Sequence, residues 1–538
     1  MGVAPRPSLA AARHRGGAAA ARIALPVPAA DRSAPAPGLD AAAPESRPHL
    51  HAVLLAHLDT QWRWTERDSA ERFLPETVDA NESLFERFPR YVLSFEGAYR
   101  YQLLQELWPE RFERLRARVA ERRWSAAGSA LEAFDANLPA PESIVRQILY
   151  GSRWFERELA GAGRDLLLPD CFGFPASLPT LAVHCGIVGF STQKLRKGDL
   201  VRCAFGVPFA YGLWRGADGS ELLAALDPGE YGVAPARELG DDPAQVEDFA
   251  ALAREGRPAR RMTYFGVGDQ GGALAAGAVA TLERSVRPTA AIEVSIGASE
   301  RIYLETSAAE RAALPVYQGD LLLHLHASGC YTSRATLKRW NRTNERLART
   351  AEAAAALAAR CGRGYPALRL ERAWTRFLAH QMHDDLTGTS IPAAYRISWN
   401  DEAIAANELA EILLDSLGAV AAGLDRRGGG EYLLFNPLGA ESVSPVEVDD
   451  AALAASRDGV PQVHRLVSAI AEVHDDPVKV DRGALHRELD AAKVTAGPGD
   501  GDHIVIHAVA DLPLAQHDPV ASPLRSRGGT AHEGREDE

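Results

Sequence analysis

The sequence predicts an α/β domain on a parallel sheet, sized for a barrel or a large doubly wound sheet, then a three-helix bundle, then the start of a β-sandwich. Three observations carry this. Between His51 and Ala313, short apolar runs closed by Gly or Pro alternate with amphipathic helical segments, as buried parallel strands joined by helices do. After Leu314 the apolar period becomes helical, and from Gly428 it shortens again to strand-like runs.

In chain order, residues 1–48 are rich in Ala, Pro, Arg and Gly. They bury too little apolar surface to offset the entropy of ordering, and a disordered tail is expected. In residues 49–313, strands are expected at Ala52–Ala56, Leu166–Leu168, Ile187–Phe190, Glu221–Leu226 and Tyr264–Val267. Helices are expected at Arg111–Arg123 and from Glu142 toward Trp154. In residues 314–425, the helical spans are Thr336–Arg360, Leu368–Gln381 and Ala403–Leu417, with Trp374, Phe377 and Leu378 sharing a face. In residues 426–463, Glu431–Leu438 reads as a strand and turn, and Val443–Val448 alternates weakly. Residues 464–538 show loose patterning and end in a polar tail.

The formal net charge is -13 and no long Lys/Arg block exists. That composition argues against a nucleic-acid groove and suits a neutral, hydroxyl-rich ligand. No apolar stretch is long enough for a membrane span. The basic, Ala-rich start lacks an apolar core with a cleavage site, so a cytoplasmic protein is expected. Cys171, Cys185, Cys203, Cys330 and Cys361 are scattered and never form a CxxC pair. They read as small buried apolar residues rather than a disulfide or zinc framework.

Several strand runs end in ligand-type residues, and in α/β sheets chemistry sits just beyond the carboxyl ends of strands. His57 and Asp59, two apart, point one way if the strand continues, which makes half of a divalent-metal site. The rival reading is capping of the following helix. Asp170 follows Leu168-Pro169 and, taken alone, reads as a helix N-cap; beside His57 and Asp59 it gains as a ligand. Asp269 lies in Gly268-Asp269-Gln270-Gly271-Gly272, which lacks a full phosphate-binding pattern. It is a general-acid candidate or a plain turn residue. His380 at a helix end suits a dipole partner, whereas His383, beside Asp384 and Asp385, is the better ligand candidate. His324 and His326 mimic a metal pair and compete with it.

Together these pieces resemble the family 38 α-mannosidases of the glycoside hydrolases. The matching stretches are His57-Leu58-Asp59-Thr60-Gln61-Trp62, Leu168-Pro169-Asp170-Cys171-Phe172-Gly173-Phe174, and Gln381-Met382-His383-Asp384-Asp385-Leu386-Thr387-Gly388-Thr389. Asn137–Gln147, Gly329–Ser333 and Lys338–Glu345 match as well, and the resemblance covers about His51 to Leu438. It implies a barrel-like, seven-stranded β/α catalytic domain, a helical middle domain and β-sandwich material. It implies one divalent cation, zinc in that family, held by His57, Asp59, Asp170 and His383, and leaves His324 and His326 as structural or rim residues. Asp170 would also be the nucleophile, Asp269 the general acid/base, Trp62 the floor under mannose, and Asp384 a partner of a sugar hydroxyl. The implied substrate is a mannose-containing oligosaccharide or glycoside. Two departures stand out: Ala327 replaces a frequent aromatic, and most of the family's C-terminal β region is absent or unpatterned. A metal-dependent carbohydrate deacetylase and a catalytically impaired sugar-binding remnant are the rival expectations.

Overall fold

The computed structural model describes residues 47–159, 161, 163–197, 207–423, 432–438, 463–467 and 506–508. Strands in the first part are β1 (His49–Ala56), β2 (Leu93–Glu96), β3 (Trp124–Ala127), β4 (Asp165–Leu167), β5 (Gly173–Phe174), β6 (Gly189–Ser191), β7 (Tyr211–Arg215), β8 (Glu221–Ala225), β9 (Arg260–Val267), β10 (Glu293–Ile296), β11 (Val316–Gln318) and β12 (Leu321–Leu322). β1 is central to a five-stranded parallel sheet. It pairs with β9 along its whole length, with β10 over His49–Ala52, and with β2 at Leu54 and Leu55; β3 pairs with β2. A second five-stranded sheet runs β11-β7-β8-β6-β4, with β7 and β8 antiparallel.

Alternation along β1 explains how the sheets are held. Leu50, Ala52, Leu54 and Ala56 pack with residues of the surrounding helices, such as Leu84, Phe85 and Val279. Val53 and Leu55 face the other way, into a core shared with Leu167 of β4, Tyr211 and Leu213 of β7, Leu223 and Ala225 of β8, and Tyr264 of β9. A side-chain period of two puts one set against helices and the other against the second sheet. The expected single seven-stranded barrel is thus seen as two sheets over a common core, and no strand pairing among the described residues closes them into one. The antiparallel β7–β8 pair makes the second sheet mixed, where repeated β/α units would make it parallel.

The short expected strand at Ile187–Phe190 begins only at Gly189, because Gly186 (φ 83) still belongs to the turn that ends the preceding helix. β11 pairs with β7, and β12 with β5. Residues 316–322 therefore belong with the sheets, although their position after Leu314 suggested the bundle.

The bundle consists of helices Ala335–Arg360, Ala367–Ala379 and Tyr395–Ala422. Trp374 and Phe377 pack in its core with tilted rings whose centroids are 5.0 Å apart. The third helix starts eight residues before the expected Ala403, since its first turns bury polar Ser398 and Glu402 beside Tyr395, which an apolar-period reading misses. No helix among the described residues is long and apolar enough to cross a membrane. Cys171, Cys185, Cys330 and Cys361 are free thiols; Cys171 is buried as expected, but Cys361 is exposed. The expected tail, the Val443–Val448 strand, most of residues 464–538 and Cys203 lie outside the described residues. The C-terminal pieces described are Tyr432–Asn436, Val463–Val467 and Ile506–Ala508, which pair in parallel, unlike the antiparallel strands of a sandwich.

Asp165, at the start of β4, is fully buried and neither carboxylate oxygen has a hydrogen-bond partner. Burial, with some help from Glu300, pushes its carboxyl up to about 7. The folded state therefore holds this proton more tightly than the unfolded chain. Its contribution is full below the ordinary value of 3.8 and is lost as pH rises toward 7. Three units correspond to about 4 kcal/mol as an upper bound. Asp165→Asn is expected to raise the melting temperature at pH 8 and change it little at pH 4. Equal melting temperatures for both proteins at pH 8 would contradict this.

Candidate active site

The site forms where strand ends from both sheets, β1 and β9 of the first and β4 of the second, meet a turn of the bundle. The parallel β1–β9 ladder ends with His57 N–H donating to Val267 O (2.9 Å); the chain then turns, and an antiparallel bridge between Leu58 and Gln270 holds the next residues, with Asp59 N–H donating to Asp269 O (2.8 Å) and Gly271 N–H to His57 O (2.9 Å). This pairing puts His57 and Asp59 on one side, with His57 Nε2 2.9 Å from Asp59 Oδ1. Neither residue caps the next helix, whose N-cap is Thr65. Asp170 is also no cap, because the next helix begins at Leu178 behind Ser177.

His383 follows the second bundle helix and is stitched to the α/β domain. Its own N–H donates to Ala133 O (3.1 Å), and Asp135 N–H donates to Gln381 O (2.8 Å). Gln381 Nε2 donates to Asn341 Oδ1 (2.8 Å), and Gln147 Nε2 to Leu378 O (2.7 Å). Lys338 Nζ donates to Ser333 O (2.6 Å), Thr387 O (2.9 Å) and Leu386 O (3.0 Å), fixing the turn after His383. The motif stretches around residues 147, 338–345 and 381–389 thus act together at the domain junction.

The result is a tight donor cluster. One ligand atom from each of His57, Asp170 and His383 lies within 4.8 Å of the others, and the same holds for Asp59, His383 and Asp384. His383 Nε2 is 3.1 Å from Asp59 Oδ1, 3.5 Å from Asp384 Oδ2 and 3.9 Å from Asp170 Oδ2. His57 Nε2, Asp59 Oδ1 and His383 Nε2 are buried without a hydrogen-bond partner despite these short distances. Their geometry is not that of hydrogen bonds, and one cation would satisfy all three atoms. Two imidazoles and several carboxylates are a donor set suited to zinc.

Both imidazoles are oriented through their other nitrogen. His57 Nδ1 meets Glu96 Oε1 at 2.5 Å, and His383 Nδ1–H donates to Ala133 O at 3.0 Å. Such partners fix the tautomer and leave Nε2 as the free ligand. Burial alone would lower His57, but the Asp59 and Glu96 carboxylates overcome it and hold it up to about 10. Burial likewise opposes His383, yet Asp384 above all holds it well above its ordinary range. Burial and the Asp59 carboxylate push Asp384 up to about 7. The common cause is excess carboxylate in a dry site, which favours positive charge there.

Asp170 divides its oxygens. Oδ2 faces His383, while Oδ1 pairs with Lys194 Nζ and receives Gln193 Nε2 at 3.4 Å. Asp269 is half-buried on a left-handed backbone (φ 64), with Oδ1 accepting from Tyr231 Oη at 2.7 Å. Trp62 is half-buried, with the Arg63 guanidinium 4.2 Å over its ring and Trp64 edge-on at 6.0 Å. Asp384 lies inside the donor cluster, and Thr389 Oγ1 donates to its Oδ1 at 2.5 Å. His324 is exposed, and His326 packs 6.3 Å from the Phe172 ring. His380 is held between Asp385 (2.7 Å) and Asp401 (3.3 Å). None of these three is in a donor cluster.

Sequence reasoning missed Glu96, Gln193, Lys194 and Tyr231. Glu96 had a readable signal, since Leu93-Ser94-Phe95-Glu96-Gly97 is another strand run ending in an acid before Gly. The other three had none, as their partners are distant in sequence.

Comparison with known proteins identifies the family of the chain. Residues 47–320 match the glycosyl hydrolases family 38 N-terminal domain, and residues 324–419 the alpha mannosidase middle domain. Alpha-mannosidase G of Dictyostelium discoideum is 30% identical over 357 residues, covering 65% of this chain and 31% of that protein. Human alpha-mannosidase 2C1 is 30% identical over 352 residues, covering 64% of this chain and 32% of that protein. The chain therefore spans about a third of the length of these relatives. An alpha-mannosidase from Enterococcus faecalis V583 shares the fold at a TM-score of 0.58 and 18% identity, over 70% of this chain and 43% of that structure.

Proposed function

The chain belongs to glycosyl hydrolase family 38, and from that premise we propose that it is a metal-assisted, retaining α-mannosidase acting on terminal α-linked mannose of oligosaccharides or glycoconjugates. The observation that carries the proposal is the convergence of His57, Asp59 and Asp170 with His383, a residue of the other domain, around atoms that lack hydrogen-bond partners. Zinc is the cation the donor set favours. When bound it would supply a charge that grips vicinal sugar hydroxyls and orients the ring.

The protein's own groups have separable roles. Asp170 attacks the anomeric carbon, with Lys194 balancing its charge and Gln193 holding its Oδ1. Asp269, more accessible on its turn, gives a proton to the departing oxygen and later takes one from water. Trp62, braced by Arg63 and Trp64, offers an apolar face to the sugar. Asp384 serves as a hydroxyl acceptor beside the cation.

Incubation of the purified chain and zinc with an aryl α-mannoside is expected to release the aglycone with retention at the anomeric carbon. Acetate release from acetylated sugars without mannose release would favour a deacetylase. Mannoside binding without turnover, which calorimetry would reveal, would contradict the enzyme reading.

A further inference from the structure

We propose that Tyr231 is the positioning residue for Asp269: its phenol holds one carboxyl oxygen so that the other presents the proton to the glycosidic oxygen. The proposal rests on the mannosidase reading with Asp269 as acid/base.

A carboxyl group on a turn has two equivalent oxygens and free rotation, and efficient proton transfer needs one of them aimed. Asp269 is such a group, half-buried on a left-handed turn. Its Oδ1 accepts a 2.7 Å bond from Tyr231 Oη.

Tyr231 is itself rigidly seated. Its ring lies 5.0 Å from that of His57. Its backbone N–H donates to Gln193 Oε1 at 3.0 Å. Residues on either side of it are laid along β9, with Tyr264 N–H donating to Pro228 O (2.8 Å) and Gly266 N–H to Val233 O (3.0 Å). The two glycines before Asp269 belong to this seat. A Cβ on Gly268 would lie 1.6 Å from Tyr231 Cε2, and one on Gly266 would lie 1.9 Å from Leu55 O and 3.1 Å from Tyr231 O. The bare Cα of Gly268 is thus the space that admits the Tyr231 ring.

The same anchor reaches the nucleophile. Gln193 accepts from Tyr231 through Oε1 and donates to Asp170 Oδ1 through Nε2. Asp170, Gln193, Tyr231 and Asp269 form one connected chain, so the two catalytic carboxyls share a frame that no sequence neighbourhood supplies. When Asp269 gives up its proton it becomes anionic, and the phenol's bond to it strengthens. That gain matters only when the leaving oxygen needs protonation.

The test compares the zinc-loaded protein with Tyr231→Phe on two substrates. One is an α-mannobioside, whose leaving alcohol must be protonated, and the other is 2,4-dinitrophenyl α-mannoside, whose leaving group departs as the anion. Tyr231→Phe is expected to lower kcat/KM on the mannobioside by on the order of 10- to 100-fold. It should change the dinitrophenyl substrate little and leave zinc content unchanged. Equal losses on both substrates, or loss on neither, would overturn the proposal while leaving the mannosidase reading intact. A parent protein inactive on both substrates would overturn that reading and this proposal with it.

Discussion

Asp170→Asn is expected to cut turnover of an aryl α-mannoside by on the order of 10^4-fold or more, the scale found when a nucleophile is removed. At about 1.36 kcal/mol per decade, that is about 5 kcal/mol of lost transition-state stabilisation. Asn has the same shape but cannot form the glycosyl ester. The loss should appear in kcat even with a good leaving group, which separates it from a defect in proton donation. A structural consequence goes with it. Lys194, nearly buried against Asp170, would lose its counter-charge, so the melting temperature should fall as well. Activity must therefore be read below the variant's transition and with its bound cation measured. A variant that keeps a tenth of the parent's turnover under those conditions would remove Asp170 from the role of nucleophile.

His383→Ala is expected to abolish stoichiometric cation binding. His383 is the bundle's imidazole in a donor set otherwise drawn largely from strand ends of the α/β domain. Outer-sphere partners of metal ligands typically contribute about 10- to 100-fold in affinity, and Glu96→Gln, which weakens the grip on His57 Nδ1, should fall in that range. Loss of a ligand should exceed it. Cation binding should also raise the melting temperature of the parent, by about 2.7 kcal/mol of stability at a hundredfold excess over Kd. That increment should vanish in His383→Ala. Titration calorimetry and melts with and without zinc would check both. If the variant bound zinc with the parent's affinity, the shared site would not exist.

The strand-end residues show how far one-dimensional patterning reaches. His57, Asp59 and Asp170 were legible as candidates because each follows a short apolar run that marks a buried strand, whose end carries chemistry. Glu96 was legible by the same rule and was passed over. The polar first turns of the third bundle helix were hidden because Ser398 and Glu402 are buried by hydrogen bonding, not by hydrophobicity. Closure of the strands into one barrel could not be read from order alone, since strand count and spacing are compatible with one sheet or two.

By itself, the sequence determined most element types, the two-part architecture and a set of candidate ligand residues, because periodicity and strand-end chemistry are local properties. Only the tertiary structure decided which of these residues meet. His57 and His383 have ring centroids 5.4 Å apart although they lie in different domains, because the segment 133–135 pairs with 381–383 and Gln147, Asn341 and Lys338 tie the junction. Tyr231 reaches Asp269, and Gln193 reaches Asp170, through side-chain hydrogen bonds between segments 38 and 23 residues apart. Such contacts depend on how chain segments pack in three dimensions, and residue spacing along the chain does not encode them.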